Sequence, residues 1–133
     1  MTEYKGGCAC GEVSYLSEKA PLFAFHCQCR KCQRITGSGH SSQIAFPTES
    51  VVFSREPTYY RQIAEGGVTT KSGFCEKCGS PIMTQSEGYP EVMFIHAASL
   101  DDPTLFKPQQ VAWHESAQAW DHVDPELPIH QRG

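Results

Sequence analysis

The apolar positions of this chain fall on a two-residue period. In residues 12–16 (EVSYL) Val13 and Tyr15 alternate with polar neighbours, and in 22–26 (LFAFH) Phe23 and Phe25 do the same. Alternation of this kind predicts half-buried strands. Seven further short apolar or β-branched runs, at 42–46, 51–54, 58–63, 68–74, 82–85, 92–96 and 111–114, are separated by turn-forming Gly, Pro, Ser and Asp. None has the length of an ordinary helix. One helical turn is expected at 30–35, ended by Gly37, Ser38 and Gly39. From 118 to 133 the periodicity fades, Pro125 and Pro128 interrupt the chain, and an irregular tail is expected to lie on the sheet with Trp120 as its anchor.

These elements describe a mostly β protein. At 133 residues the chain has the length of one domain, so 1–133 is read as a single unit with one core. A formal net charge of -4 speaks against a polyanion such as nucleic acid as partner, while leaving a small anionic molecule open. The first residues, MTEYKGGCACGEVSYL, contain no apolar stretch of signal-peptide length, and no segment has the ~18 apolar residues of a membrane span. A cytoplasmic location is the expectation, with no membrane partner.

Location matters because of the cysteines. All seven fall into three clusters, Cys8 and Cys10 as CxC, Cys27, Cys29 and Cys32 as CxCxxC, and Cys75 and Cys78 as CxxC. In a reducing compartment such clusters bind metal rather than form disulfides, and an odd count points the same way. In an extended segment residues i and i+2 project from one face, so Cys8 and Cys10 can turn to one ion. Gly79, directly after Cys78, permits the positive φ of a metal-binding turn, and Gly6, Gly7 and Gly11 bracket the first pair. If Cys8 and Cys10 join Cys75 and Cys78, four thiolates close a tetrahedral structural site. Three then remain, the ligand count of a catalytic zinc with an open position. Spacing alone equally permits the triplet to take a fourth ligand from another cluster, leaving one ion and spare thiols.

An ion held by three thiolates is a poor generator of hydroxide but still deprotonates an incoming thiol, which favours thiol chemistry over hydrolysis. His26 adjoins the triplet, yet as the neighbour of Cys27 in an extended run it should point the other way, into the core. Arg30, Lys31 and Arg34, with Ser38 on the following turn, either grip a substrate carboxylate or form a solvated face. Gln33 is a candidate for a hydrogen bond to the metal loop.

The segments GGCACGEVSY, FHCQCRKCQRITGS, FCEKCGSPI and ASLDDPTLFKPQQVAW, with a second tryptophan beyond, resemble the family of glutathione-dependent formaldehyde-activating enzymes, which includes a centromere-protein V branch. The resemblance implies a β-rich fold of the Mss4-like, β-tent type with two zinc ions. It also implies the pairing: Cys8, Cys10, Cys75 and Cys78 around a structural zinc, and Cys27, Cys29 and Cys32 around a catalytic one. The implied activity is that of a carbon-sulfur lyase, in which glutathione or another small thiol adds reversibly to an aldehyde such as formaldehyde. The alternative is a non-enzymatic zinc module that binds a partner.

Overall fold

The computed structural model describes residues 2–64 and 67–133. Its strands form two sheets. The smaller has the order β1-β2-β5, from β1 (Tyr4–Gly7), β2 (Ser14–Ser17) and β5 (Val51–Phe53). The larger has the order β10-β3-β4-β9-β8-β7-β6, from β3 (Phe23–Cys27), β4 (Ser41–Pro47), β6 (Thr58–Ile63), β7 (Thr69–Phe74), β8 (Pro81–Ser86), β9 (Val92–His96) and β10 (Val111–Ala112). The helix α1 (Arg30–Thr36) follows the CxCxxC loop. Every pairing is antiparallel except β10 with β3. No helix among the described residues is long and apolar enough to cross a membrane.

Pairing register gives the large sheet two unlike faces. Ile44 lies opposite Ile95, Phe46 opposite Met93, and Met83 opposite Ile95, so one face is apolar. It packs with Val13 and Tyr15 from the small-sheet side into the core, where Ile44, Phe46 and Ile95 are all but inaccessible. Each such side chain contributes about 1.5–3 kcal/mol. The other face begins with Phe23 and Phe25, tilted against each other and each edge-on to Phe94, and then turns polar. Cys27 lies opposite Ser41, Gln43 opposite His96, and Ser72 opposite Thr84. Helix α1 covers this polar face, reaching β7 through a hydrogen bond from Lys31 Nζ to Thr70 Oγ1 of 3.2 Å. Seven residues are too few for an independent helix, so packing holds it. As expected, Gly37 ends it with φ 70.

Most predicted strands are present with ends shifted by a residue or two. Residues 58–63 and 92–96 match their predicted bounds. The strand expected at 111–114 stops at Ala112 because Trp113 adopts φ 58 and starts a 3₁₀ turn. Strand β1 was not predicted, since a YKGG segment carries no apolar alternation; its partner β2 supplies the ladder.

The tail does lie against the sheet, but Trp120 is not its anchor: 66% of it is exposed. Two other contacts hold it. Val111 N–H donates to the Pro128 carbonyl and His130 N–H to the Val111 carbonyl, adding Ile129 beside β10. Asp121 inserts over Gly39, where a Cβ would fall 2.2 Å from the Asp121 Cγ. Trp120, its neighbour, is left outside.

Candidate metal centres

The first cluster joins Cys8, Cys10, Cys75 and Cys78, with all four sulfurs within 4.8 Å of one another. The Cys8 and Cys10 sulfurs are 3.6 Å apart and those of Cys10 and Cys75 3.7 Å. Four sulfurs at ~2.3 Å from a tetrahedral zinc stand about 3.8 Å apart, so this cage has the size of a thiolate-bound zinc. The CxC achieves its convergence through a turn rather than the extended segment expected: Gly11 N–H donates to the Cys8 carbonyl at 3.2 Å and Gly11 has φ 81. At the CxxC, Gly79 has φ 79, and its N–H donates to the Cys75 carbonyl at 2.7 Å. Donors converge on the sulfurs. Val13 N–H points at Cys8 Sγ at 3.2 Å and holds its thiol below the ordinary range. Hydrogen bonds from the Ser80 hydroxyl and backbone bring Cys78 down to about 5.

The second cluster is Cys27, Cys29 and Cys32, again within 4.8 Å, and no histidine, aspartate or glutamate ligand atom among the described residues completes it. Cys27 and Cys32 are buried and Cys29 is half-buried. Cys29 also caps α1, its sulfur accepting from the Cys32 N–H at 3.3 Å. Gln43 Nε2 approaches Cys32 Sγ at 3.7 Å. Hydrogen bonds from Cys27 and Cys32 bring the Cys29 thiol down to about 3, helped by the Cys32 N–H and the Lys31 charge. The same hydrogen bonds push Cys27 far up. An all-sulfur donor set suits a soft divalent ion. The residues fit the group.

His26 turns away from the triplet, as the strand alternation requires. Its Nδ1 pairs with Ser42 Oγ at 2.9 Å and its ring stands edge-on to His40. Gln33 does support the loop: Nε2 donates to the carbonyls of Gln28 and Ser116, while Oε1 accepts from Arg30 and Gln118. Every hydrogen-bonding direction of that buried amide is used.

A network missed in the sequence lies below the loop. Gln28, wholly buried between Cys27 and Cys29, donates to Asp121 Oδ2 at 3.0 Å and pairs through Oε1 with His114 Nδ1 at 2.8 Å. Asp121 in turn meets His40 Nδ1 at 2.9 Å. Burial raises the Asp121 carboxyl, but hydrogen bonds from Gln28 and His40 outweigh it and leave the group below its usual value. Residues 93 positions apart are joined here, and periodicity carries no signal for that.

Two neighbouring cavities place the cationic candidates. One of about 400 Å³ is lined by Cys29, Arg30, Lys31, Gln62, Ile63, Ala64, Trp113 and Ser116. The adjoining one, about 410 Å³, adds Arg34, Ile35 and Tyr60. Together they make a groove between α1 and β6 that reaches the triplet at Cys29. Ser38 lies elsewhere, in a separate cavity of about 640 Å³. Trp113 packs against Cys27 and Cys32, and its left-handed backbone, unusual for a bulky residue, sets the indole at the groove wall.

Fold and donor sets thus define a mostly β protein with two all-cysteine centres able to hold metal. The sequence profile of the family described as glutathione-dependent formaldehyde-activating enzyme matches residues 3–116, and the chain belongs to that family. No curated protein matches the chain. Among solved structures, a Rhodobacter sphaeroides protein determined as a structural-genomics target superposes with a TM-score of 0.59, at 22% identity, covering 94% of this chain and 98% of that one. That likeness shows the fold alone.

Proposed function

We propose that this chain is a zinc-dependent enzyme of the carbon-sulfur lyase type, adding a small anionic thiol such as glutathione reversibly to an aldehyde such as formaldehyde. The carrying observation is the triplet: three convergent thiols, joined by no further ligand atom among the described residues, beside a groove lined by cations. Cys8, Cys10, Cys75 and Cys78 would hold a structural zinc, and Cys27, Cys29 and Cys32 a catalytic one. When bound at the triplet, the ion supplies deprotonation of an incoming thiol at neutral pH.

The chain's own residues do the rest. Arg30, Lys31 and Arg34 present positive charge along the groove, suited to the carboxylates of the thiol. Ser38, in the separate cavity, is a substrate contact only on that side. Gln33 and Gln28 fix the loop so that the sulfurs need no rearrangement. In the reaction the thiol gives up its proton to solvent, its sulfur forms a bond to the carbonyl carbon, the C=O π pair moves to oxygen, and a proton from water completes the hydroxyl. Thiols add to formaldehyde readily, so the gain comes from positioning and from the raised thiolate fraction.

Cobalt substitution tests this directly. Glutathione added to the cobalt-loaded protein should alter the sulfur-to-metal absorption of one of two ions, and Cys29→Ser should abolish the change. A spectrum indifferent to thiol would sink the assignment and favour a non-enzymatic zinc module.

A further inference from the structure

The cavity of about 640 Å³ that holds Ser38 shares no lining residue with the groove and, among the described residues, is lined by no lysine or arginine. Its inner wall includes Thr36, Ser41 and His96, and each is tied to the triplet. Thr36 Oγ1 donates to the Cys32 carbonyl at 2.8 Å. Ser41 pairs across the sheet with Cys27, and its hydroxyl accepts from Gln43 Nε2 at 2.6 Å. Gln43 approaches Cys32 Sγ and stands opposite His96 in the β4–β9 ladder. The cavity, which Cys8 of the tetrad lines directly, is thus linked to Cys32 through these side chains, while the groove reaches Cys29 itself.

His96 is the exceptional member. Only 6% of it is exposed, and its Nε2, wholly buried, has no hydrogen-bond partner among the described residues. A buried polar atom left unpaired is costly, and in a residue that lines a cavity it marks a place for a ligand's polar atom. Burial, and secondarily the nearby Lys31 charge, lower its pKa to about 4, so the imidazole is neutral at pH 7.

We infer that this cavity receives the carbonyl acceptor, a small uncharged aldehyde, with its oxygen hydrogen-bonded by His96 Nε2–H. This rests on the thiol-addition reading above and deepens it: the two substrates approach the triplet from separate cavities, the charged thiol through the groove and the neutral aldehyde past His96. As the sulfur bonds to the carbonyl carbon, the π pair moves to the oxygen. The hydrogen bond from the neutral imidazole to that oxygen strengthens as charge develops, with the donor remaining an N–H. The proton lost by the thiol goes to solvent, and one from water in the cavity completes the hydroxyl. His96 is neither consumed nor charged.

Formamide, a carbonyl analogue that thiols leave intact, provides a test independent of turnover. Titrated into the metal-loaded protein, it should shift the His96 imidazole nitrogen resonances saturably. In steady-state kinetics His96→Leu should raise the aldehyde KM or lower kcat/KM for aldehyde at least tenfold with the thiol KM within twofold of wild type, while His96→Gln, which keeps an N–H donor, recovers most of the loss. Ala98→Phe, at an exposed position on the cavity lining, should raise the aldehyde KM without any buried substitution. Unmoved His96 resonances, or wild-type aldehyde kinetics in both His96→Leu and Ala98→Phe, would overturn the inference. A protein that binds formamide at His96 but turns over no thiol retains the carbonyl site and loses the proposed reaction.

Discussion

The two cysteine centres use the same donor atom and differ in nearly everything else. The tetrad takes its sulfurs from residues 8, 10, 75 and 78, so it ties the turn after β1 to the turn before β8. The triplet takes all three from the six residues 27–32, a stretch that β3 and α1 already constrain. A centre that links distant segments closes a long loop and contributes to folding, whereas a centre confined to one loop leaves the rest of the chain little dependent on it. The surroundings follow the same division. The tetrad abuts the apolar core through Cys75 and borders the 640 Å³ cavity through Cys8, whereas the triplet sits on the polar face, backed by buried glutamines and opening at Cys29 onto the cationic groove.

The largest effect should separate the centres by stability. Cys75→Ser removes a fully buried ligand of the long-range site, and the loss should be on the order of 5 kcal/mol or more, enough to abolish a cooperative melt. Cys29→Ser should cost far less, about 1 kcal/mol, because the serine hydroxyl still accepts the Cys32 N–H at the start of α1 and only the sulfur contacts are lost. Calorimetry of the two variants with metal content measured in parallel decides the matter. Equal destabilisation would erase the structural-versus-functional distinction. Activity should invert the order. On the proposed reading Cys29→Ser should stay folded, bind one ion fewer than wild type and lose at least ~100-fold in thiol-aldehyde turnover, a barrier increase of about 2.7 kcal/mol.

Which features were legible in the sequence follows the same line between local and distant. Short apolar or β-branched runs between turn residues were enough to set the strand bounds at 58–63 and 92–96, and the spacing within each cysteine cluster is itself a local geometry. Gly79 was readable because a positive φ is required by the turn it serves. Trp120 is the counterexample: a large aromatic in the tail reads as a buried anchor, whereas the chain turns so that the adjacent Asp121 is drawn in by Gln28 and His40. Similarly, nothing near Trp113 signals its left-handed backbone, which follows from the pairing of the 130–132 segment with residues 113–115. Hydrogen bonds between remote polar side chains leave no periodic trace, so the supports of the triplet had to be seen rather than read.

The polar face should also betray itself in acid. For His96 the folded pKa, about 4, lies below the ordinary 6.5, first because of burial and then because of Lys31. Below pH 6.5 the unfolded chain takes up a proton that the folded chain refuses, so stability falls as pH drops from 6.5 toward 4. At pH 5 the difference of about 1.5 pH units corresponds to about 2 kcal/mol. His96→Leu should abolish this increment, so that its stability relative to wild type rises by about that amount between pH 7 and pH 5 in urea titrations. Acid loss of metal affects both proteins alike and cancels in the comparison. Parallel curves would mean that His96 titrates normally, and the polar face would then be wetter than its burial indicates.

The smallest effect concerns charge, and a matched pair of lysines isolates it. Lys31 lies in the groove beside Cys29, with Nζ 3.2 Å from Thr70 Oγ1, while Lys77 lies on the tetrad side, 3.7 Å from Glu12 Oε2 and largely exposed. Both are formal positive charges on a molecule of net charge -4, so long-range steering of an anionic thiol should change similarly when either is removed. Only Lys31 is placed to hydrogen-bond a bound carboxylate, a contact whose loss should raise the thiol KM about tenfold, equivalent to ~1.4 kcal/mol. Lys31→Ala should therefore raise the KM for glutathione and leave kcat nearly unchanged, whereas Lys77→Ala should leave both within about twofold. Added salt separates the contributions further, because it screens the exposed charge more than the half-buried one. If the two variants respond alike, the groove attracts its substrate only by overall field, and Arg30 and Arg34 lose their claim along with Lys31.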